Sequence, residues 1–341
     1  MTSTRATLMQ VAERAGVSLA STSRALHGTG ASPAMIERVR AAAEELGYSP
    51  DAIGRSLRMK KTFQIAFAVA DIGNPVYVEM MRAIHEVLDP HGYRVVVMST
   101  GDTSTSTTEL VRSLNSGFVD GMIVSPLRTD DRLIREIAGT PVPVVVIGRA
   151  LGEHGISSVS TDSAGGIGQA VRHLCDLGRS RLGFLNGPLD TTPGEARQRG
   201  FDAVAGEGHA VQIAADFTVA AGLAGARRLL ASAPERLDAI VAANDLLAIG
   251  AIHAIRELGL SVPDDIAVTG MDDTELGRVF HPTLTSVSLG STERGRAAAQ
   301  IMLDLADDGD HDARHITVGP ELIVRGSTVP AAGGLIEGGR R

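Results

Sequence analysis

The chain has 341 residues, more than one ordinary hydrophobic core accommodates, so two or three structural units are expected. A composition of 43% hydrophobic and 21% charged residues excludes a disordered chain, and no apolar run approaches the ~20 residues of a membrane span. The net charge of −8 argues against a general nucleic-acid binder, but it is unevenly placed. Residues 1–61 hold nine Lys/Arg against five Asp/Glu, whereas the rest of the chain holds 23 against 35. A basic head on an acidic body can still meet phosphate locally. There is no basic-then-apolar leader, and Cys175 is the sole cysteine, so no internal disulfide can form and a reducing cytoplasm is the expected compartment.

Three short helices are expected between Thr7 and Leu46. Thr7 caps the first, about Leu8 to Ala15, with Leu8, Val11 and Ala12 on its apolar face. Gly16 and Val17 form the turn, and Ser18 caps a second helix running to about Leu26. Gly28 and Gly30 mark a loop. Ser32 followed by Pro33 starts a third helix, which carries Ile36, Val39, Ala43 and Leu46 on one side and stops at Gly47. Helix, glycine turn and helix of this size describe a helix-turn-helix, whose second helix enters the DNA major groove by its N-terminal part. That part is Leu19, Ala20, Ser21 and Ser23, with Arg24 one turn on. Arginine can hold the guanine O6/N7 edge with two bonds, and Ala or Leu can pack on thymine methyls. On composition alone, a purely structural three-helix bundle is an equal reading.

Residues 51–61 are short, polar and basic, and read as a linker. Beyond them, short apolar runs alternate with helical stretches. Strands are expected at Gln64–Ala70, Arg94–Met98, Gly121–Val124, Val142–Ile147, Arg181–Leu185, Asp238–Ala242 and Ile266–Thr269. Helices are expected at about 76–91, 107–115, 163–178, 194–206, 220–232, 244–259 and 291–306. Such alternation predicts parallel sheets covered by helices on both faces, and its length predicts two lobes. The glycine-rich segment from Asp162 to Gly168 lacks the spacing of a dinucleotide fingerprint and reads as an N-cap with close packing. Cys175, among apolar neighbours in a helix, reads as a buried thiol. The tail 331–341, with four glycines, reads as disordered.

The residues from Leu8 to Arg24, then Ser32-Pro33 through Ala-Ala-Ala-Glu-Glu-Leu-Gly-Tyr48-Ser-Pro50 and Arg55-Ser-Leu57-Arg, closely resemble the lactose/galactose repressor (LacI/GalR) family. The resemblance continues over about residues 5–330, through Asp71-Ile-Gly-Asn-Pro75, Arg197-Gln-Arg-Gly-Phe201, Ala243-Asn-Asp-Leu-Leu and Gly270-Met-Asp-Asp273. It implies an all-α helix-turn-helix head over 1–50, a hinge helix and linker over 51–61, and a two-lobed α/β body over 62–330, similar to periplasmic binding proteins. The implied first lobe is about 62–160 plus 290–318, and the second about 161–289 plus 319–330. The DNA contacts implied are Thr7, Ser18, Leu19, Ala20, Ser21, Ser23, Arg24 and Arg55, with Leu57 as a wedge in the central minor-groove step, where unstacking costs a few kcal/mol. The effector contacts implied are Asp71, Tyr77, Arg149, Arg197, Phe217, Asn244 and Asp272.

Four of the effector assignments have a chemical reason. Arg197 offers a planar fork for a vicinal diol or a carboxylate. Asp272 accepts from hydroxyls, Asn244 both donates and accepts, and Phe217 can stack on an apolar ligand face. Helix capping is a competing role for Asn244, Asp245, Asp272 and Asp273. The chain departs from the family pattern at Thr22, where valine is usual, and at Gly54, where alanine is usual. A buried Thr22 hydroxyl needs a backbone partner, and Gly54 costs a helix about 1 kcal/mol.

The expected function is that of a transcription regulator, a repressor, working as a homodimer on a pseudo-palindromic operator and controlled by a small effector, a sugar or sugar derivative. The alternatives are a ligand-binding protein without DNA function and a sugar-handling enzyme. The absence of a nucleophile elbow, a metalloprotease helix and a phosphate loop counts against an enzyme, and neither a cofactor nor a metal is expected.

Overall fold

Side chains at the helix ends set the local structure of the head. The computed structural model describes residues 6–26, 30–48, 61–206, 208–233, 235–307 and 312–329. α1 (Leu8–Ala15) begins with a reciprocal cap: the Thr7 side chain accepts from Gln10 N, and Thr7 N donates to Gln10 Oε1 at 2.9 Å. It ends at Gly16, whose φ of +64° a side chain would resist. α2 (Leu19–Leu26) follows, with Ser18 Oγ accepting from Ser21 N at 3.2 Å. α3 (Pro33–Glu45) has Ser32 as its N-cap and proline in its first turn. Val11, Ala15, Ala25, Val39, Ala42 and Ala43 form a small core. Thr22 is fully buried beside them, and its hydroxyl donates to Ser18 O at 3.0 Å, the partner its burial required. Positions 51–60 of the expected hinge and linker, with Gly54, Arg55 and Leu57, and the tail 331–341 lie outside the described residues.

The chain divides into two compact units, Met1–Thr62 and Phe63–Arg341. In the second, strands and helices alternate. They run β1 (Gln64–Val69), α4 (Pro75–Leu88), β2 (Arg94–Ser99), α5 (Ser104–Ser113), β3 (Gly121–Ser125), α6 (Asp131–Gly139), β4 (Val144–Ile147) and β5 (Ser157–Thr161). α7 (Ser163–Asp176), β6 (Leu182–Asn186), α8 (Thr192–Ala205), β7 (Ala210–Ile213), α9 (Val219–Ser232), β8 (Ala239–Ala242), α10 (Asp245–Glu257) and β9 (Ala267–Met271) continue the pattern. It closes with α11 (Glu275–Val279), β10 (Thr285–Ser288), α12 (Ser291–Ala306), β11 (His315–Val318) and β12 (Glu321–Ile323).

Among the described residues the strands form two six-stranded sheets. One has the order β11-β5-β4-β3-β1-β2 and the other β12-β10-β9-β8-β6-β7. Pairing is parallel throughout except β10 with β12. The chain passes between the sheets three times: after β5, between β10 and α12, and between β11 and β12. Central strands are buried on both faces, as runs such as Ala-Ile-Val-Ala in β8 require. The first sheet is covered on one face by α4 and α12 and on the other by α5 and α6. In the second, α9 and α10 approach so closely that a Cβ on Gly250 would lie 2.4 Å from Leu223 N.

The structure departs from the sequence expectations in particular places. α6, β5, β7, α11, β10, β11 and β12 were not anticipated, and β4 starts at Val144 rather than Val142. Cys175 is exposed, not buried: it lies one residue from the end of α7, where Asp176 and Leu177 are exposed as well. The glycine-rich segment behaves as expected, with Asp162 Oδ1 accepting from Gly165 N at 2.8 Å as the cap of α7.

Candidate functional site

In the head, the described residues expected to meet DNA lie on α2 and at the N-caps of α1 and α2. Thr7, Ser18, Leu19, Ala20 and Arg24 are exposed, and Ser21 and Ser23 are half-buried. Leu19 is 51% exposed, a large apolar side chain left in solvent while Thr22 and Ala25 of the same helix are buried. The exposed face and the buried face of α2 are therefore set by its 3.6-residue period. Arg24 is held lightly, with Nη2 donating to Ser21 Oγ at 3.5 Å, and so remains available to a base edge. An ion pair of 2.7 Å between Arg14 and Glu45 ties α1 to the end of α3.

In the body, a cavity of about 710 Å³ opens where the strands of both sheets end. All seven expected effector residues line it: Asp71, Tyr77, Arg149, Arg197, Phe217, Asn244 and Asp272. Most stand in loops after strand C-termini, where open parallel sheets expose backbone and side chains to ligand. Asp71 follows β1, Arg149 follows β4, Phe217 follows β7, Asn244 follows β8 and Asp272 follows β9. Arg197 comes from α8 and Tyr77 from α4.

Charged residues are buried in the lining beside apolar ones such as Met80 and Ile147. Arg197 and Asp272 are each 7% exposed, and their nearest nitrogen and oxygen are 3.7 Å apart, too far for a hydrogen bond. Arg197 Nε is buried without a hydrogen-bond partner among the described residues. Burial lowers the Arg197 pKa, and Asp272 opposes that; burial raises the Asp272 pKa, and Arg197 and Arg294 oppose that. Tyr77 hydrogen-bonds Ser125, and burial pushes its phenol up. The Arg197 guanidinium also lies 5.8 Å from the centre of the Phe217 ring. That ring is seated by Gly187, where a Cβ would approach its carbons to 2.3 Å.

Asp272 occupies a backbone conformation that side chains resist, with φ of 106°, and Asp273 follows at 50°. The surrounding bonds explain how it persists. Asp272 N donates to Val287 O at 2.8 Å and Asp273 N to Ser286 Oγ at 3.0 Å. Beneath them, buried Asp245 accepts from Thr274 N at 2.7 Å, Thr274 Oγ1 at 2.8 Å and Ser286 Oγ at 2.6 Å. Its burial first, and Asp272 second, push its pKa up to about 7. The capping alternatives resolve residue by residue. Asn244 is the N-cap of α10, accepting from Leu247 N at 2.9 Å, and also lines the cavity. Asp245 is a brace instead of a cap. Thr274, not Asp272 or Asp273, caps α11, and Asp273 pairs with Arg278 and Arg325 at 2.9 and 2.6 Å.

Two features were missed in the sequence. Arg128, after β3, forms a two-pronged ion pair with Asp190 at 2.8 and 3.0 Å, and Thr192 N donates to Leu127 O at 3.0 Å. These bonds join loops of the two sheets beside the cavity. Arg294, on α12, also lines the cavity at 6% exposure. A signal for it existed: Arg294 stands four, seven and eight residues before Ala298, Ile301 and Met302, on the apolar stripe of its helix.

Among the described residues no helix is long and apolar enough to cross a membrane. Residues 7–51 match the model of bacterial regulatory proteins of the lacI family, and residues 171–328 that of a periplasmic binding protein-like domain. The ribose operon repressor of Halalkalibacterium halodurans is 31% identical over 94% of this chain and 97% of its own length. The lac repressor dimer bound to operator and an anti-inducer superposes with a TM-score of 0.84 at 27% identity, covering 96% of this chain and 100% of that one. A complex of the regulator CelR with cellobiose superposes at 0.71 and 31% identity, covering 95% and 100%. At this identity and coverage, the chain belongs to the lacI family of bacterial regulatory proteins and is a DNA-binding transcriptional regulator.

Proposed function

We propose that the protein is a repressor whose operator affinity is set by a sugar or sugar derivative bound in the cavity between the two sheets. The observation that carries this reading is the convergence of Asp71, Tyr77, Arg149, Arg197, Phe217, Asn244 and Asp272 on one cavity of about 710 Å³, a volume suited to a small ligand. Relatives support the effector class: one is a ribose operon repressor, and another was solved with cellobiose. Residues 1–50 read DNA through Thr7, Ser18, Leu19, Ala20, Ser21, Ser23 and Arg24. Residues 51–61 form the hinge, with Arg55 on the backbone and Leu57 in the minor groove. Residues 62–330 sense the effector in the cytoplasm.

The working form is a homodimer, each head reading half of a pseudo-palindrome. Effector and operator are coupled through the arrangement of the two lobes. The coupling requires that each ligand prefer one arrangement, and it is typically worth about 1–3 kcal/mol. The Arg128–Asp190 pair and the Thr192–Leu127 bond are contacts that such a rearrangement would make or break.

Thermal stabilisation by a panel of sugars, sugar acids, sugar phosphates and purines tests the sensor, with Arg197→Ala as control. A ligand at 100 times its Kd adds about 2.7 kcal/mol, a shift that must vanish in the variant. Loss of operator binding by a folded Arg197→Ala protein would show that the cleft has been misassigned. For the hinge, Leu57→Ala should weaken specific operator binding far more than binding to random DNA, and equal losses would remove the wedge.

A further inference from the structure

The cavity floor carries a charge that the chain itself does not balance. Arg294 and Arg197 are both buried, and the two guanidiniums repel each other. The Nε atoms of both lack a hydrogen-bond partner among the described residues. Asp272 is the one carboxylate of the cavity lining buried with them, and it faces both. Glu293, exposed on α12, supports the Arg294 charge less than Asp272 does. The remaining acids are engaged. Glu79 accepts from Ser291 Oγ at 2.6 Å and lies 3.7 Å from Arg278. Asp245 accepts its three bonds from Thr274 and Ser286. At the rim, Asp71 is turned to Gly73 N and Asp216 to Thr218 N. An arginine does not escape burial by losing its proton, so a buried guanidinium without a full counter-charge is costly unless a bound group supplies one.

We propose that the effector is polyhydroxylated and bears one anionic group, seated between Arg294 and Arg197. This rests on the effector-sensing reading of the cleft and narrows its ligand class. Asp272, Asn244 and Tyr77 would meet hydroxyls, and the two arginines the anion. A surplus of one positive charge matches a singly charged carboxylate, as in a monosaccharide acid; a sugar phosphate shares the chemistry with a larger charge.

The test is calorimetric titration of the full chain with matched series on one pentose and one hexose: aldose, aldonate, uronate and phosphate ester. Arg294→Leu and Arg197→Ala are titrated in parallel. The expected result is that an anionic member binds at least tenfold more tightly than its aldose, and that Arg294→Leu removes most of this preference while retaining weak binding of the aldose. Apo Arg294→Leu should melt no lower than the parent, because the substitution removes an uncompensated charge. A tighter phosphate ester supports the anionic site and assigns phosphate as its source; a tighter aldonate or uronate assigns carboxylate. Aldoses that bind as well as the acids, with loss in Arg197→Ala, overturn the anionic effector and leave the sensor intact. A lower melting point of apo Arg294→Leu makes Arg294 a structural residue and overturns the proposal. Failure of every member to bind overturns it and the sugar-sensing reading together, while operator binding separately tests the regulator.

Discussion

The head and the cleft handle polar chemistry in opposite ways. In the head, the side chains assigned to recognition are exposed or half-buried, and the buried Thr22 hydroxyl is satisfied locally by Ser18 O. In the cleft, Arg197, Asn244, Asp272 and Arg294 are buried while Asp71 and Arg149 stay exposed, and two buried guanidinium nitrogens have no hydrogen-bond partner among the described residues. A long polyanion brings its own high charge density, so its reader needs only an exposed face and a rigid support. A small effector makes few contacts, so each must be strengthened by desolvation and fixed in place beforehand. The strained backbone at Asp272 and the Asp245 brace beneath it belong to that preorganisation.

The comparison breaks most visibly at Arg197. Arg197→Ala should cost about 2–5 kcal/mol of effector affinity, read by titration, because a buried charged partner is lost. Operator affinity in the absence of effector should stay within a few-fold. Next, Arg24→Ala should cost about 1–3 kcal/mol of operator binding and relax preference at one base position, measured on a set of single-base operator variants. An equal loss on every sequence would make Arg24 a phosphate contact. Gly187→Ala should push the Phe217 ring from its seat, with a loss of about 1–3 kcal/mol that falls on effector binding, not on DNA.

Asp245 adds a pH test. Its folded-state pKa, about 7, lies above the ordinary aspartate value of 3.8. Between those values the folded state binds the extra proton, so this contribution is complete at low pH and is lost as pH rises through about 7. The limit is about 1.4 kcal/mol per pH unit for one group. Melting curves from pH 5 to pH 8 should slope downward more steeply for the parent than for Asp245→Asn, whose amide can keep bonds to both Thr274 and Ser286. Parallel curves would remove Asp245 as the source. The smallest effect is expected in the head: Thr22→Val loses one locally satisfied hydrogen bond and should change stability within about 1 kcal/mol.

What was legible in the sequence is what depends on near neighbours. Thr7, Ser18, Ser32 and Asp162 cap helices because a short polar side chain reaches a backbone N–H two or three residues on, whatever the rest of the fold does. The long apolar runs of β1, β3, β4, β6, β8 and β9 likewise announce strands buried on both faces. The exposed face of α2 follows from its period, and the helix-turn-helix with its candidate readers could be named before any coordinates.

Only tertiary structure decided the polar interior. β5 and β10 are rich in Ser and Thr and look like loops, yet Ser158 and Ser160 hydrogen-bond His315 at 2.9 and 3.1 Å, and Ser286 bonds Asp245. Those partners lie between 41 and 157 residues away, so no local pattern shows that burial is affordable there. The same reason hid Arg294 and made Asp245, one candidate cap, a brace instead. A buried charge acquires its meaning from the charges around it, and the chain brings Arg197, Asp272 and Arg294 together only after passing between its two sheets.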